Sequence, residues 1–530
     1  MSQSMTCGEA TIRLLAKYGV STVFGIPGVH TLDFCRGLGQ GVRHIQVRNE
    51  QGAGFMAEGW ARATGEPGVA LVISGPGVTN ASTALGQAYA DSLPVLLLSA
   101  EAASYTIDKG WGVLHEITEQ KKVTEPLTAF SATAHRTQDV PELLARAFTL
   151  FASQRPRPVH ISIPIDVQAE IIEDEWEPVA LPTRPSAGED QITTAVELLK
   201  DATSPLIIVG GGACRASTEL TVIAERVGAI VIASTAGKGI VADDHPLSLS
   251  ASTVRPEVLK LLPEADVILA VGTELSETDS FVERMNFTGK LIRVDIDSAK
   301  INDFYPAHLG IIADAKSAMA QLQTALDNHS SDGHEVAKTR VREVRAQINA
   351  GLSVSEQQHV AVLEALESVA PDNLVWSGDA CQLVYTGAFA LSVRAPRRWF
   401  YPAGYCALGN ALPNAIGAKL ARPDSPVAVL AGDGGFMFTM PELVTAAELG
   451  LALPVIIWEN GGLKQIQDDM DGRQIARVGV EGINPDFVML AKACHCHGVD
   501  TTSLDQLQEA FQAALLADRP TVIVVHEKRD

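Results

Sequence analysis

Apolar residues along this chain form short runs, many of them ending in glycine, and amphipathic segments lie between these runs. The runs contain almost no polar side chains, as is typical of strands that are buried on both faces of a sheet. They are residues 70–74, 158–163, 205–209, 230–233, 267–271, 291–295, 427–431 and 454–458. Because helical segments such as 442–449 alternate with these strands, the pattern predicts an α/β fold of doubly wound parallel sheets.

Two polar or proline-rich segments divide the chain. The first, residues 164–185, is acidic and contains several prolines, and the second, residues 327–335, is polar. A chain of 530 residues is longer than one hydrophobic core usually supports. We therefore predict three doubly wound domains at 1–165, 190–330 and 340–530, with the first and third of the same architecture.

Composition and charge restrict the partners of the protein. The net charge is −22, which argues against nucleic acid or an anionic membrane as a partner. Seven cysteines without regular spacing predict reduced thiols in a cytoplasmic protein. Arg13 and Lys17 interrupt the apolar positions at the amino terminus, so this segment is interpreted as an amphipathic helix and not a signal peptide. No apolar run reaches the roughly 18 residues that a membrane span requires.

The strongest candidate chemistry follows two neighbouring apolar runs. Residues 427–431 lead into Gly432-Asp433-Gly434-Gly435, and residues 454–458 lead into Glu459-Asn460-Gly461-Gly462. The carboxyl ends of parallel strands meet at one edge of a sheet, so Asp433 and Asn460 should lie together. Glycine lets backbone N–H groups approach a diphosphate closely, and a helix expected near Pro441 would direct its positive end there. Asp433, the Asn460 amide and the Gly462 carbonyl would supply hard oxygens to Mg²⁺.

Gly432-Asp433-Gly434 followed at this distance by Asn460 resembles the thiamine diphosphate motif. A lone Gly-Asp-Gly would also fit a simple strand-to-helix turn. The resemblance implies that Asp433, Asn460 and the Gly462 carbonyl bind the metal. It also implies that the turn of Gly432, Gly434 and Gly435 binds the diphosphate of the cofactor.

Residues 50–100 resemble the pyrimidine-binding domain of the acetolactate synthase branch of thiamine enzymes. By itself Glu50 would be interpreted as a first-turn carboxylate that interacts with a helix dipole. The resemblance instead implies that Glu50 hydrogen-bonds a pyrimidine nitrogen and helps the cofactor to lose its thiazolium proton. Asn49 departs from the branch, which often has His there. Residues 404–409 resemble the segment whose bulky residue props the cofactor in a bent conformation, so Leu408 is the predicted prop, although it would also suit a core position.

Two histidines bear on the reaction. His30 follows the first predicted strand, and His115 stands in Leu-His-Glu where synthases commonly have Phe-Gln-Glu. Both are predicted to transfer protons, although loop histidines are often only solvated. The resemblance implies non-oxidative decarboxylation of a small-molecule 2-oxo acid, with an aldehyde as product. An acetolactate synthase type of carboligase is the alternative, and a catalytically silent regulatory homologue is the second; the latter would be expected to lose Glu50, Asp433 or Asn460.

The segment after the magnesium motif offers a clue to the substrate. Residues 463–469 should begin a helix over the cofactor, with Gln465, Ile466 and Asp469 facing the substrate. Synthases typically have tryptophan in place of Asp469, and a carboxylate suits a guanidinium. With Asp468 and Asp471 nearby, a solvated acidic face is the plain alternative. Residues 109–112 and 302–306 resemble bacterial decarboxylases of 5-guanidino-2-oxopentanoate, which is the predicted substrate.

Three further interpretations concern the remaining glycines, the cysteines and the assembly. Gly210 to Gly212 follow a strand but lack a dinucleotide fingerprint. Related synthases bind FAD in this domain, but residues 272–279 replace their flavin-contacting run, so FAD is not favoured.

The Cys-His-Cys-His run at 494–497 is predicted to pack at a helix end, because four consecutive residues cannot converge on one ion. The resemblance implies a homodimer or homotetramer, with the cofactor between Glu50 of one chain and Asp433 of the partner subunit.

Overall fold

Three separate parallel sheets form the framework of the protein. The structure, a computed structural model, describes residues 4–173 and 175–528. Every neighbouring pair of strands within these sheets is parallel. The predicted α/β fold with doubly wound parallel sheets is thus confirmed.

The first sheet is built from the amino-terminal third of the chain. A two-stranded antiparallel pair, β1 (Met5–Thr6) with β8 (Ile171–Ile172), closes this region. The six strands of the sheet have the order β3-β2-β4-β5-β7-β6, and they are β2 (Thr22–Gly25), β3 (Arg43–Gln46), β4 (Gly68–Val72), β5 (Val95–Glu101), β6 (Phe130–Thr133) and β7 (Val159–Pro164). The helices are α1 (Cys7–Lys17), α2 (Leu32–Cys35), α3 (Glu50–Thr64), α4 (Pro76–Ala90), α5 (Gln120–Thr124), α6 (Asp139–Ser153) and α7 (Ile165–Ala169).

The middle sheet has five strands in the order β10-β9-β11-β12-β13. They are β9 (Pro205–Val209), β10 (Ile230–Ala233), β11 (Val267–Val271), β12 (Lys290–Asp295) and β13 (Leu309–Ile312). The helices are α8 (Glu189–Lys200), α9 (Ser217–Val227), α10 (Pro256–Leu259), α11 (Ala315–Ala325) and α12 (His334–Ala350). Helix α12 spans the predicted boundary at residue 340, and its Val341, Val344 and Ile348 pack against apolar residues of the middle sheet.

The third sheet has the order β15-β14-β16-β17-β19-β18. Its strands are β14 (Val375–Gly378), β15 (Trp399–Phe400), β16 (Val427–Gly432), β17 (Pro454–Glu459), β18 (His497–Thr501) and β19 (Thr521–His526). Its helices are α13 (Val354–Glu367), α14 (Gln382–Ala390), α15 (Ala411–Ala421), α16 (Asp433–Phe436), α17 (Glu442–Glu448), α18 (Lys464–Gly472), α19 (Phe487–Ala493) and α20 (Leu504–Leu515). When the strands of each sheet are numbered in chain order, the first and third sheets have the same spatial order, second-first-third-fourth-sixth-fifth. This agrees with the prediction of one architecture used twice.

The first and third domains share one apolar core at the crossing of α3 and α15. Glycines allow the two backbones to come very close: a Cβ on Gly59 would lie 2.1 Å from the Asn414 carbonyl oxygen, and one on Gly417 would lie 2.0 Å from that of Met56. Buried residues from both sheets, such as Phe24 and Val429, belong to the same cluster. Because Glu50 is the first residue of α3, this crossing fixes its position relative to the third sheet.

Two general predictions concern thiols and membranes. All seven cysteines are unbridged, and Cys496 is buried beyond the end of α19. Groups of three or more His, Cys, Asp or Glu able to hold a metal are absent from the described residues, and the packing interpretation of 494–497 stays a prediction. None of the helices in the described ranges combines the length and the apolar character needed to cross a membrane.

Candidate functional site

Asp433 is the centre of a network at the carboxyl ends of β16 and β17. Its side chain is buried, and Oδ2 accepts hydrogen bonds from the Gly461 amide at 2.8 Å, the Gly462 amide at 3.0 Å and Asn484 Nδ2 at 2.8 Å. Oδ1 accepts one bond, from the Gly434 amide at 2.8 Å. The two strand ends therefore meet as predicted, and Oδ1 keeps a lone pair for a further ligand.

Two helical segments follow β16. The helix expected near Pro441 is α17, whose N-cap is Pro441, and a short helical turn that the sequence did not suggest, α16, starts at Asp433 itself. Gly434 and Gly435 allow this turn because they carry no side chain to crowd it: a Cβ on Gly435 would lie 3.2 Å from the Asp379 carboxyl group. The glycine turn therefore brings its backbone N–H groups next to the Asp433 carboxylate.

The loop after β17 supplies the second half of the site. Asn460 is half-buried, and no hydrogen bond among the described residues uses its side chain. Gly462 has φ +116°, a conformation that favours glycine, and a Cβ there would lie 2.5 Å from the Val480 carbonyl oxygen. Gln467, which is buried, donates to the carbonyl oxygens of Gly461 at 3.1 Å and Val480 at 3.0 Å. The Gln467 and Asp433 side chains thus hold the backbone of the loop, and the Asn460 amide is left for a ligand.

These residues fit a magnesium ion and a diphosphate. The donors are a carboxylate oxygen, an amide oxygen and a carbonyl oxygen, which are the hard ligands that Mg²⁺ prefers, with waters and phosphates completing the shell. The cradle of glycine amides suits the phosphate oxygens. Asp433, Asn460 and the Gly462 carbonyl would hold the metal, and residues 432–435 would hold the diphosphate.

A second buried carboxylate, Asp379, supports the segment that carries Leu408. It follows β14, and the Gly409 amide donates to both of its oxygens, at 3.1 and 2.9 Å. Desolvation by burial raises the pKa of Asp379 to about 6. Leu408 is half-buried between the buried residues Ala407 and Gly409, so its backbone is fixed while its side chain is not enclosed by the core.

Glu50 begins α3 and is buried. Its Oε2 accepts a hydrogen bond from Asn80 Nδ2 at 2.9 Å. The residues before it are held from the third domain, because Glu442 Oε1 accepts from the amides of Arg48 at 3.0 Å and Asn49 at 3.1 Å. Burial raises the pKa of Glu442. Asn49 acts as the N-cap of α3 by accepting from the Gln51 amide, a local role that accounts for Asn at this position.

His30 and His115 lie together, with ring centroids 5.0 Å apart. His30 is buried and its Nδ1 lies 2.6 Å from Ser74 Oγ. Desolvation, and next the nearby His115, lower the pKa of His30, so its ring stays neutral to a lower pH than a free histidine. His115 is held at φ +62°, a strained conformation for a side chain of this size. A proton-transfer role for the pair is chemically reasonable and stays a prediction.

Helix α18 carries the three predicted substrate residues. Gln465 and Asp469 are exposed and Ile466 is 44% exposed. Gln465 lies against Gln382, whose Nε2 is 3.2 Å from Gln465 Oε1. The acidic residues differ in their partners. Asp468 pairs with Lys464 and Asp471 with Arg477, whereas the Asp469 carboxylate accepts a 3.4 Å hydrogen bond from Gln465 Nε2.

A separate cavity of about 1120 Å³ lies at the carboxyl ends of the strands of the middle sheet. Gly210 to Gly212 line it, and so do Arg155, Arg157 and Glu274. Glu274 belongs to the segment that replaces the flavin-contacting run, and its carboxylate pairs with Arg155 and Lys300. The cavity is at the edge where doubly wound sheets bind ligands. That FAD does not occupy it stays a prediction.

Two sheets of the same strand order, together with the oxygen ligands that follow β16 and β17, indicate the class of protein, a thiamine diphosphate enzyme. Three family models match the chain: the N-terminal TPP binding domain at residues 5–123, the central domain at 192–322 and the C-terminal TPP binding domain at 379–525 of thiamine pyrophosphate enzymes. Together they cover most of the chain. The protein belongs to the thiamine pyrophosphate enzyme family.

Curated relatives are similar over almost the whole chain. The protein is 46% identical to the probable 2-ketoarginine decarboxylase AruI of Pseudomonas aeruginosa, over 98% of this chain and 94% of that protein. It is 30% identical to the acetolactate synthase large subunit of Corynebacterium glutamicum, over 98% of this chain and 86% of that protein. It is 29% identical to the acetolactate synthase isozyme 1 large subunit of Escherichia coli, over 99% and 94%. The predicted resemblance to acetolactate synthase-like thiamine enzymes is confirmed.

Several site residues were not found from the sequence. Asn484 reaches Asp433 from 51 positions away, and Glu442 reaches Arg48 across 394 positions. Nothing local marks either residue, because an asparagine in a loop and a glutamate at a helix start are common. Asp379 carried a weak signal, since it follows a strand that ends in glycine.

Proposed function

We propose that the protein is a thiamine diphosphate- and Mg²⁺-dependent decarboxylase of 5-guanidino-2-oxopentanoate. The substrate assignment rests on a difference in ion pairing among the acidic residues of α18. Lys464 and Arg477 neutralise Asp468 and Asp471, which leaves the exposed Asp469 without a cationic partner among the described residues. A guanidinium is a planar donor that a carboxylate binds through two parallel hydrogen bonds. The AruI relative, whose name gives the same oxo acid, supports this choice.

The residues of the chain would share the work as follows. Asp433, Asn460 and the Gly462 carbonyl hold the metal, residues 432–435 hold the diphosphate, and Leu408 props the cofactor. Bound thiamine diphosphate supplies the electron sink for the loss of carbon dioxide. Glu50 Oε1 is available for a hydrogen bond, since Asn80 bonds to Oε2.

His30 and His115 would move the proton that decides between products. The neutral His30 ring, hydrogen-bonded to Ser74, can accept a proton from water and then, as the imidazolium, donate it. Protonation of the decarboxylated carbon gives an aldehyde. Condensation with a second 2-oxo acid gives an acetohydroxy acid, and the two acetolactate synthase relatives keep this carboligase as the second candidate function. Mass spectrometry of the products from pyruvate and longer 2-oxo acids separates the two, and a dominant acetohydroxy acid would reverse the assignment.

Cofactor dependence is tested with two variants that act differently. Asp433→Ala removes the metal carboxylate, so calorimetry should show Mg²⁺-dependent cofactor binding weakened by at least about 100-fold. Glu50→Gln keeps the diphosphate site, so the affinity should stay close to that of the parent while turnover falls by about 100-fold or more. Full activity and unchanged affinity in Asp433→Ala would rule out this site.

Substrate choice is tested at Asp469. Asp469→Asn removes the charge with little change of shape, and kcat/KM for 5-guanidino-2-oxopentanoate should fall by roughly 10 to 100-fold, because a charge-assisted pair contributes about 1.5–3 kcal/mol. Turnover of a neutral 2-oxo acid of equal length should change little. Asp471→Asn is the matched control, since it removes an acid of the same helix that already has a cation. A parent enzyme without preference for the cationic substrate would contradict the proposal, and a preference that survives Asp469→Asn would place the recognising carboxylate elsewhere.

We also propose a cytoplasmic homodimer or homotetramer in which Glu50 of one chain faces the metal site of its partner. Hydrogen bonds among the described residues do not join Glu50 to Asp433. Large apolar side chains are exposed after the strands of the first sheet, including Val29, Tyr105 and Trp111, and after those of the third, including Phe438 and Val478. Exposed apolar surface of this kind marks an interface.

Mixed assemblies test this arrangement. Co-expressed Glu50→Gln and Asp433→Ala chains should form dimers in which one site carries both defects and the other carries none. With random pairing, about a quarter of all sites are then intact, so about a quarter of the parental activity should be restored. Sites confined to one chain would give no restoration, and analytical ultracentrifugation of each variant confirms that assembly is intact.

A further inference from the structure

The segment that carries Leu408, residues 404–409, is held at both ends by side chains from different domains. At its carboxyl end the Gly409 amide bonds to Asp379, and the Gly409 carbonyl oxygen accepts from Thr439 Oγ1 at 2.5 Å. At its amino end the contacts come from α4 of the first domain. The Gly404 amide donates to Asp91 Oδ1 at 2.8 Å, and the Ala407 amide donates to Gln87 Oε1 at 3.0 Å.

Gln87 can act as an acceptor there because Asp91 fixes its amide group. Gln87 is fully buried, and its Nε2 donates to Asp91 Oδ2 at 2.7 Å. With the NH₂ group used in this way, the amide oxygen faces the Ala407 N–H. Asp91 is in turn held by Arg62, which also bonds to Glu58 on α3. A continuous set of hydrogen bonds therefore connects α3 and α4 to the backbone next to Leu408.

We propose that Gln87 and Asp91 are positioning residues that set the place of Leu408 against the cofactor. They do not touch the predicted cofactor site themselves. They act through the Ala407 and Gly404 amides, one and four positions before Leu408. Asp379 acts from the other side, one position after it. The prop is thereby fixed by its own chain's first domain, independently of where Glu50 makes its contact.

The first test uses the protein without cofactor and reads backbone hydrogen exchange by mass spectrometry. Gln87→Met has nearly the same size but no acceptor, so the Ala407 amide should exchange at least about tenfold faster. Gln168→Met is the matched control, because Gln168 is also buried in the first domain and donates to the Ile163 carbonyl oxygen at 2.7 Å. It should leave residues 404–409 unchanged.

Asp91→Ala tests the link between the two residues and does not depend on the behaviour of Gln87→Met. It removes Oδ2, which accepts from Gln87 Nε2, so nothing fixes the Gln87 amide group and the Ala407 N–H loses a properly oriented acceptor. Exchange at Ala407 should therefore accelerate although Asp91 does not contact it. Unchanged exchange at Ala407 in Asp91→Ala, or equal exchange in Gln87→Met and Gln168→Met, would overturn the proposal.

The second test asks whether the effect reaches the cofactor through Leu408. With thiamine diphosphate and Mg²⁺ bound and no substrate present, the exchange of the thiazolium hydrogen for deuterium is followed by NMR after acid quench. Gln87→Met and Leu408→Ala should each slow this exchange about tenfold, and the double variant should be no slower than Leu408→Ala alone. Effects that multiply would overturn the proposal. Because no 2-oxo acid takes part, a wrong substrate assignment does not alter the outcome.

Discussion

The crossing of α3 and α15 should be intolerant of a single methyl group. A Cβ added at Gly59 would lie 2.1 Å from the Asn414 carbonyl oxygen and 2.7 Å from two further backbone atoms of Asn414, where real contacts stay above about 3.0 Å. The helices must therefore separate by about 0.9 Å in Gly59→Ala, the difference between 3.0 and 2.1 Å. Backbone atoms cannot rotate out of the way as a side chain end can.

This separation should reduce both stability and turnover. A gap of 0.5–1 Å forfeits a quarter to a half of the dispersion energy of the atoms that face it, and overpacking of this kind costs about 1–3 kcal/mol. Glu50 is the first residue of α3, so a shift of this helix also moves Glu50 relative to the cofactor that it is proposed to contact in the partner subunit. A misplacement of about 1 Å can lower a rate by roughly 100-fold.

The assay combines differential scanning calorimetry with kcat at saturating cofactor. Gly417→Ala should give a similar loss, because its Cβ would lie 2.0 Å from the Met56 carbonyl oxygen. Gly188→Ala is the control, since the nearest atom to its Cβ is a flexible Gln191 oxygen at 3.4 Å. A Gly59→Ala enzyme that matches Gly188→Ala in both melting temperature and kcat would refute the reasoning.

Three further predictions follow from buried charges. Burial raises the pKa of Asp379 to about 6 from 3.8, so between these pH values the native state keeps a proton that the unfolded state has lost, and stability falls as pH rises. Relative to Asp379→Asn, urea unfolding of the protein without cofactor should show the parent losing about 2 kcal/mol between pH 4 and pH 7, and a pH-independent difference would contradict this. Asn484→Ala removes the donor at 2.8 Å from Asp433, so calorimetry should show Mg²⁺ affinity lowered about 10 to 100-fold, and an unchanged affinity would exclude a supporting role. Arg62→Met leaves the fully buried Glu58 without its cation, and it should lower the free energy of unfolding measured by chemical denaturation by about 3–5 kcal/mol. Adding Glu58→Gln in a double variant should restore part of this loss. A loss below about 1 kcal/mol would mean that Glu58 is already neutral.

The sequence by itself determined the three sheets and singled out the ends of two strands, which carry Asp433 and Asn460, as a candidate site. Apolar runs such as 205–209, 230–233 and 267–271 coincide with strands in the structure, because a strand buried on both faces has no place for polar side chains. Asp433 and Asn460 were found for a related reason. A carboxylate and an amide that follow adjacent parallel strands, with glycines beside them, have few uses other than binding a ligand.

Only the tertiary structure decided which side chains hold these groups in place. Glu442 on the amides of Arg48 and Asn49, and Gln87 on the amide of Ala407, join positions more than 300 residues apart. Such contacts leave no trace in local periodicity, since any glutamate or glutamine on a buried helix face would produce the same pattern. These contacts form only because the α3–α15 crossing brings the first and third domains together. The crossing depends on close packing and on Gly59 and Gly417, and the need for glycine at these two positions follows from the backbone that lies opposite each of them.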